Sequence, residues 1–328
     1  MLKPLDDAHL HSLLAQLDAW RLQAEWGRLP STQPLQGVQW SRQQGSGSEF
    51  AESRPYAQGD EIRHLDWRLM ARSGEVFSRR FEESRQAQWV LLVDLREPMW
   101  FGTRRQFKVS QMLNWLGLVV WQAQRHNVNV QLWVLAQQLH RLTVPQFSGQ
   151  AAVLAYLQLL NQPQSVWLPQ QASAMQPGDS LSKALQHLLP QVASGARLMV
   201  FSDLHDLALT PKLSEQLAAW RKQLVLQFCW FYDRAEVALP PVSGLTLVSR
   251  LGVRLRLDQS CDYQAYQEWA QTHFQDLERI LVRSGSDFVA IGTHLSLPEL
   301  GVCFQRLGVH NFGVLAGLGE IKEMSANG

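Results

Sequence analysis

The sequence predicts an α/β protein: a doubly wound, mostly parallel sheet preceded by a small β-rich module. Three observations carry that expectation. Trp89–Asp94 and Arg197–Asp203 are each an apolar run that ends at a carboxylate, the pattern of a strand buried on both faces in a parallel sheet. Around them, strand-like runs alternate with helical ones, as strand–helix–strand units do. Ahead of them, residues 45–85 hold eight acids and seven arginines with no lysine, about twice the 18% charged fraction of the whole chain. Such density, with Tyr56 and Trp67 among the charges, marks an ordered segment in which arginine forks hold carboxylates.

Taken in order, Leu5, Leu10, Leu13, Leu14, Leu17 and Trp20 fall near helical spacing and predict a helix packed on its own domain. Pro30 and Pro34 break that pattern. Residues 38–42 read as a short strand, and Gly45-Ser46-Gly47-Ser48 as a loop. That loop is no phosphate cradle, because no GxxxxGK[ST] follows it. Residues 75–81 and 89–94 read as strands, and 103–126 as a long helix. Strands follow at 128–136 and 139–144, the second an antiparallel edge, then helices at 151–160 and 180–189. The strand ending at Asp203 leads to a helix at 212–222 and a strand at 224–232. Past Pro240-Pro241 come a hairpin (245–249, 253–257), a helix to about 283, a strand at 287–291 and a last helix at 298–307.

Composition narrows the function. With 328 residues, 46% of them hydrophobic, and 13 tryptophans, the chain can bury a large core. A net charge of +1 gives no sign of a nucleic-acid or anionic-membrane binder. Cys229, Cys261 and Cys303 are far apart and odd in number, which suits a reducing compartment. The N-terminus lacks a signal-peptide pattern, and the most apolar windows are too short to span a bilayer. A soluble, cytoplasmic protein without membrane insertion is expected.

Ligands of open parallel sheets gather beyond the carboxyl ends of the strands, near the switch in strand order. Asp94 and Asp203 sit at two such ends, and Ser180 opens a helix that can reach the same crevice. Two carboxylates and a hydroxyl are ligands for a hard divalent cation; equally, each aspartate can cap a loop or helix. Catalytic templates fail. There is no HExxH among the ten histidines, no GxSxG and no GxGxxG after a strand. His64 and His205 are read as surface or structural residues, and no enzyme is expected.

The run Tyr56-Ala-Gln-Gly59-Asp60-Glu-Ile-Arg63-His-Leu-Asp66-Trp67-Arg-Leu-Met-Ala71-Arg72 closely resembles the Y-x-x-G-D-x-x-R-x-x-D-W-x-x-x-A-R signature of the bacterial domain-of-unknown-function 58 family. The resemblance spans roughly residues 40–300. It implies a Rossmann-like, von Willebrand factor type A-like domain at 88–310, after an N-terminal helix and β-rich module at 1–87 and before a tail at 311–328. It also implies a MoxR-type AAA+ ATPase and a client protein as partners, in assembly or maturation.

Type A domains carry a metal-ion-dependent adhesion site, D-x-S-x-S, completed by a later hydroxyl and carboxylate. By resemblance Asp94 is the first ligand, Ser180 the hydroxyl and Asp203 the late carboxylate. Arg96 and Pro98 stand where the two serines belong. Proline offers no ligand atom, and arginine brings a permanent charge toward the cation's place. Pointing inward, Arg96 bridges Asp94 and Asp203 and replaces the ion; pointing outward, it leaves a weak magnesium or manganese site. The inward arrangement is favoured. The expected function is therefore a non-enzymatic adaptor with a degenerate site. The alternatives are a magnesium- or manganese-dependent adhesion domain and a hydrolase using Asp94 and Asp203. Arg54, Tyr56, Gly59, Asp60, Arg63, Asp66, Trp67 and Arg72 either form an internal network anchored by Trp67 or face the partner.

Overall fold

In the computed structural model the chain divides into two compact units, residues 1–35 with 88–328, and residues 36–87. The structure describes residues 3–21, 49–56, 65–82, 88–145, 147–167, 180–209, 213–240, 242, 244–248, 254–257 and 260–305. The strand expected at 38–42, the loop at 45–48 and the tail at 311–328 lie outside them.

Helix α1 (Asp7–Arg21) opens the larger unit. Asp6 caps it, accepting from the His9 amide at 2.7 Å. Its leucines behave as their spacing predicts: Leu10, Leu13 and Leu17 are buried in the core. Just before it, Leu5 exchanges two hydrogen bonds with the Asn161 side chain, at 2.9 and 3.0 Å. The sequence-based division at residue 87 is therefore cut in two. An apolar stripe needs a surface to cover, and this helix finds it in the core of the larger unit.

The smaller unit contains strand β1 (Glu49–Pro55), helix α2 (Trp67–Ser73) and strand β2 (Phe77–Glu82). The strands pair antiparallel, Arg54 opposite Ser78, with a register shift between Phe50 and Glu52. Asp66 caps α2 through its carboxylate, which accepts from the Leu69 amide at 3.2 Å. Gly74, at φ 75°, ends the helix in the left-handed conformation and donates to the Met70 carbonyl.

Back in the larger unit, strand β3 (Gln88–Asp94) leads through a loop to α3 (Lys108–Arg125). Then come β4 (Asn129–Leu135), β5 (Leu139–Leu142), α4 (Gly149–Leu160) and α5 (Gln164–Trp167). Next are α6 (Leu181–Leu188), β6 (Arg197–Ser202), α7 (Leu213–Arg221), β7 (Val225–Tyr232) and α8 (Arg234–Val237). A hairpin of β8 (Leu245–Val248) and β9 (Arg254–Leu257) precedes α9 (Ser260–Ser284), β10 (Asp287–Gly292) and α10 (Leu297–Gln305). The third helix starts five residues later than its periodicity predicts, because Thr103 is spent elsewhere: its amide and hydroxyl both donate to Asp233.

Six strands form one sheet in the order β10-β7-β6-β3-β4-β5, parallel throughout except for the β5 edge. Side chains of β3 alternate between two cores. Leu91 and Val93 join the face covered by α1, α3, α4 and α10. Val90 and Leu92 join the face covered by α6, α7 and α9. All four are fully buried, each contributing ~1.5–3 kcal/mol. Among the described residues no helix is long and apolar enough to cross a membrane.

From β3 the chain passes to β4 on one side and later to β6 on the other. The carboxyl ends of β3 and β6 therefore flank the switch in strand order, where α/β sheets place their sites.

Candidate functional site

Asp94 ends β3 and is buried to 1% exposure. Two residues on, Arg96 folds back over it. Its backbone amide and Nε donate to Asp94 Oδ1 at 3.0 and 2.9 Å, and its Nη2 to Oδ2 at 2.6 Å. The fourth donor comes from the neighbouring strand: Ser202 Oγ reaches Oδ2 at 2.6 Å. An ionised carboxylate has about four lone-pair sites, and at Asp94 all four are taken.

The other edge of the Arg96 guanidinium faces Asp206. Nη1 donates to Oδ2 at 2.6 Å and Nη2 to Oδ1 at 3.3 Å. Asp206 Oδ2 also accepts from the Leu181 amide at 2.8 Å, so this carboxylate lies at the N-terminus of α6, where the helix dipole favours negative charge. Ser180 caps the same helix, its hydroxyl accepting from the Lys183 amide at 3.2 Å.

A second buried charge group lies alongside. Lys108 is the first residue of α3 and is buried as deeply as Asp94. Its ammonium donates to Asp203 Oδ2 at 3.0 Å and to Glu236 Oε1 at 2.6 Å, with the Phe101 ring 6.0 Å away. Glu236 also closes a capping box: it accepts from the Asp233 amide, while Asp233 accepts from the Ala235 amide. Asp233 in turn takes the hydroxyls of Thr103 and Thr293, both at 2.6 Å. The loops after β3, β7 and β10 thus meet on one carboxylate.

Burial pushes the Asp94 carboxyl up against the pull of Arg96, and pushes Glu236 up against Lys108. At Asp203 burial acts in the same sense but loses to the Lys108 ammonium and then Arg96, which hold it below the ordinary carboxylate value. Arg96 and Lys108 lose charge stability to burial, yet their carboxylates carry both above their ordinary values. The two cations stay charged.

Between these groups the chain makes a costly turn. Leu204 sits at φ 57° with its side chain fully buried, a conformation unfavourable for a bulky residue by roughly 1–2 kcal/mol. Its amide donates to Ser202 Oγ at 3.1 Å, and the His205 amide donates to Asp203 Oδ1 at 3.3 Å. The turn lets one pentapeptide, Ser202–Asp206, serve both Arg96 and Lys108.

The family described as Protein of unknown function DUF58 matches residues 52–266. The chain belongs to that family. Uncharacterized proteins of Mycobacterium tuberculosis and Mycobacterium bovis are 39% identical to this DUF58 chain over 59 residues. That stretch is 18% of this chain and spans only 19% of those relatives. Among solved structures, a conserved hypothetical protein, BatB, from Bacteroides thetaiotaomicron aligns with 68% of this chain and 98% of its own, at 11% identity and a TM-score of 0.42. An aerotolerance-related membrane protein from Bacteroides fragilis aligns over 68% and 100%, at 12% identity and a TM-score of 0.38.

In this DUF58 chain the residues expected at a cation site are each held by other partners. Arg96 points inward, but its second partner is Asp206; Asp203 is held by Lys108 instead. Pro98 lies in a short 3-10 turn, and Ser180 is committed to its helix. With the lone pairs of Asp94 filled and a guanidinium against it, the donor set does not fit a divalent ion. Among the described residues no group of three or more His, Cys, Asp or Glu side chains is placed to hold a metal.

Of the signature residues, Gly59, Asp60 and Arg63 lie outside the described residues, and Arg54 is described by its backbone alone. Asp66 is the cap of α2. Trp67 is 56% exposed, no residue of α2 is buried, and Tyr56 and Arg72 are exposed as well. Sequence reasoning missed Lys108, Ser202, Asp206 and Glu236. Two signals were available: a lysine opening a helix opposes the dipole and needs carboxylates nearby, and Asp233-Arg-Ala-Glu236 after a strand has capping-box spacing.

Proposed function

We propose that this DUF58 protein is a non-enzymatic adaptor for protein–protein contact. It works with a MoxR-type AAA+ ATPase in the assembly or maturation of client proteins, in the cytoplasm. Its larger unit is a von Willebrand factor type A-like body with a degenerate metal-ion-dependent adhesion site. The observation that carries this reading is the closed circuit around Arg96. The guanidinium lies between Asp94 and Asp206, and every polar atom of the Asp94 side chain already has an internal partner. A hydrolase needs a carboxylate free to activate water, and a metal-dependent adhesion site needs carboxylate oxygens free for the ion. Asp94 offers neither, which leaves a rigid scaffold. The exposed Trp67 of α2 belongs to a residue type enriched in binding hot spots, and supports a contact role for the signature segment.

Two measurements test the reading. Titration with magnesium and with manganese in a calorimeter gives no heat of binding; saturable heat that disappears in Asp94→Asn establishes the adhesion-type alternative instead. Affinity capture from the native organism, with and without ATP, recovers an AAA+ ATPase. Capture of none under either condition removes the proposed partnership.

A further inference from the structure

Beyond Asp203 the chain carries a pair of histidines that the charge circuits do not use. His205 opens the 3-10 turn after β6, and His273 projects from α9. Their rings stand 4.7 Å apart, with His205 Nδ1 and His273 Nε2 facing each other at 3.0 Å. Two imidazole nitrogens in that relation can share only one proton, so one of them always presents a lone pair to the other. Both backbones are fixed. The His205 amide is tied to Asp203, and the preceding Leu204 is locked in the core at positive φ. His273 is clasped by Trp269, whose ring stacks on it at 5.5 Å and 8°. His205 and Trp269 are exposed, so solvent reaches the pair.

We infer that His205 and His273 form a two-histidine site for a divalent transition ion such as zinc or nickel, which displaces the proton they share and is held by Nδ1 and Nε2 from one side of the line that joins them. The spacing suits it. With metal–nitrogen bonds of ~2.0–2.1 Å, two imidazole nitrogens on one ion lie about 2.9 Å apart at a right angle and about 3.3 Å apart at the tetrahedral angle. The pair is already within that interval, so the nitrogens need not move apart to take an ion; the rings turn until both lone pairs converge on it. Imidazole is a ligand suited to zinc and nickel and not to magnesium. Water completes the coordination on the exposed side. The site is separate from the Arg96 circuit, and its ion is of another class than the magnesium and manganese titrations probe, so either result can fail without the other.

The test uses the full chain without a histidine tag. Zinc chloride is titrated calorimetrically into the wild type and into His205→Ala and His273→Ala. A single saturable site weakened at least tenfold by each substitution supports the inference. His205→Gln and His273→Gln, which keep a polar side chain, repeat the test if an alanine variant fails to fold. Nickel chloride supplies an independent readout: it quenches tryptophan fluorescence in the wild type, and Trp269→Phe removes a distinct part of that quenching. Zinc affinity unchanged in both histidine variants, or no saturable binding by the wild type, overturns the site.

Discussion

Arg96 grips Asp94 with both prongs of one guanidinium edge: Nε meets Oδ1 at 2.9 Å and Nη2 meets Oδ2 at 2.6 Å. Because the two residues are only two apart in sequence, the pair forms within one turn of chain, and the guanidinium's remaining edge is free to reach Asp206 across the switch point. The result is a cross-link between the loop after β3, the turn after β6 and the start of α6, made by one guanidinium.

Removing the fork leaves Asp94 buried with only the Ser202 hydroxyl and the backbone amide of residue 96, and no counter-charge. Arg96→Ala should cost ~3–5 kcal/mol, the range for breaking one side of a buried pair, read as a lower urea midpoint. Arg96→Lys should rescue little, since a lysine cannot satisfy both oxygens of Asp94 and reach Asp206 as well. Adding Asp94→Asn to Arg96→Ala should recover part of the loss. If the double variant is no more stable than Arg96→Ala, the lost stability does not come from the stranded charge.

Lys108 invites a different experiment, because its removal strands two carboxylates together. Lys108→Met should be several kcal/mol less stable than wild type near neutral pH. Without the ammonium, the largest pull against burial is lost at both Asp203 and Glu236, so both carboxyls shift upward from their wild-type positions, although Arg96 and the His205 amide still hold Asp203. The folded variant then binds protons more tightly than the folded wild type, and it gains stability relative to wild type as pH falls. A stability gap that stays constant with pH would show that Lys108 acts through packing alone.

The fold was legible because its strongest signal is local. Leu91 and Leu92 face opposite cores, and an unbroken apolar run is how a strand with two buried faces must be written. The antiparallel edge at β5 followed from the short spacing between two strand-like runs. The site was legible only in part. Asp94, Arg96 and Asp203 were visible as strand-end residues, but partner choice depends on distances that no linear pattern carries. Asp206 takes the guanidinium and Asp203 the Lys108 ammonium, on either side of a left-handed Leu204. A leucine does not announce positive φ as a glycine would. The position of α1 was misplaced for a related reason: its leucines declare a buried face without naming the surface that covers it.

In the smaller unit, Asp66 and Trp67 are neighbours with separable jobs. Asp66→Ala removes the cap of α2 and should cost ~0.5–2 kcal/mol, seen as a lower melting temperature for that unit. Trp67→Ala, at an exposed position, should leave stability within about 0.5 kcal/mol of wild type while weakening capture of the AAA+ ATPase proposed as partner. An Asp66→Ala protein with unchanged melting and lost capture would reassign that carboxylate from capping to recognition.

Asp233 gives the acid-side prediction its cleanest form. Burial pushes its carboxyl up, but the hydroxyls of Thr103 and Thr293, with the Ala235 and Thr103 amides, bring it below its ordinary value of 3.8. A depressed folded value means that the unfolded chain takes up the proton first. The stabilisation is therefore complete above about pH 4 and disappears as pH falls through the folded value. Asp94 and Glu236, which are shifted upward, act in the opposite direction, so the pH profile of the wild type alone mixes both signs. Comparison with Asp233→Asn cancels them, because both proteins contain those groups. The wild type should melt higher near neutral pH, because the substitution turns a side-chain NH2 toward hydroxyls and amides that had a carboxylate to donate to. The difference should shrink as the solution is acidified below the ordinary carboxylate range. A difference that widens on acidification would mean that Asp233 is protonated in the native protein and that the loops after β3, β7 and β10 are held together by other contacts.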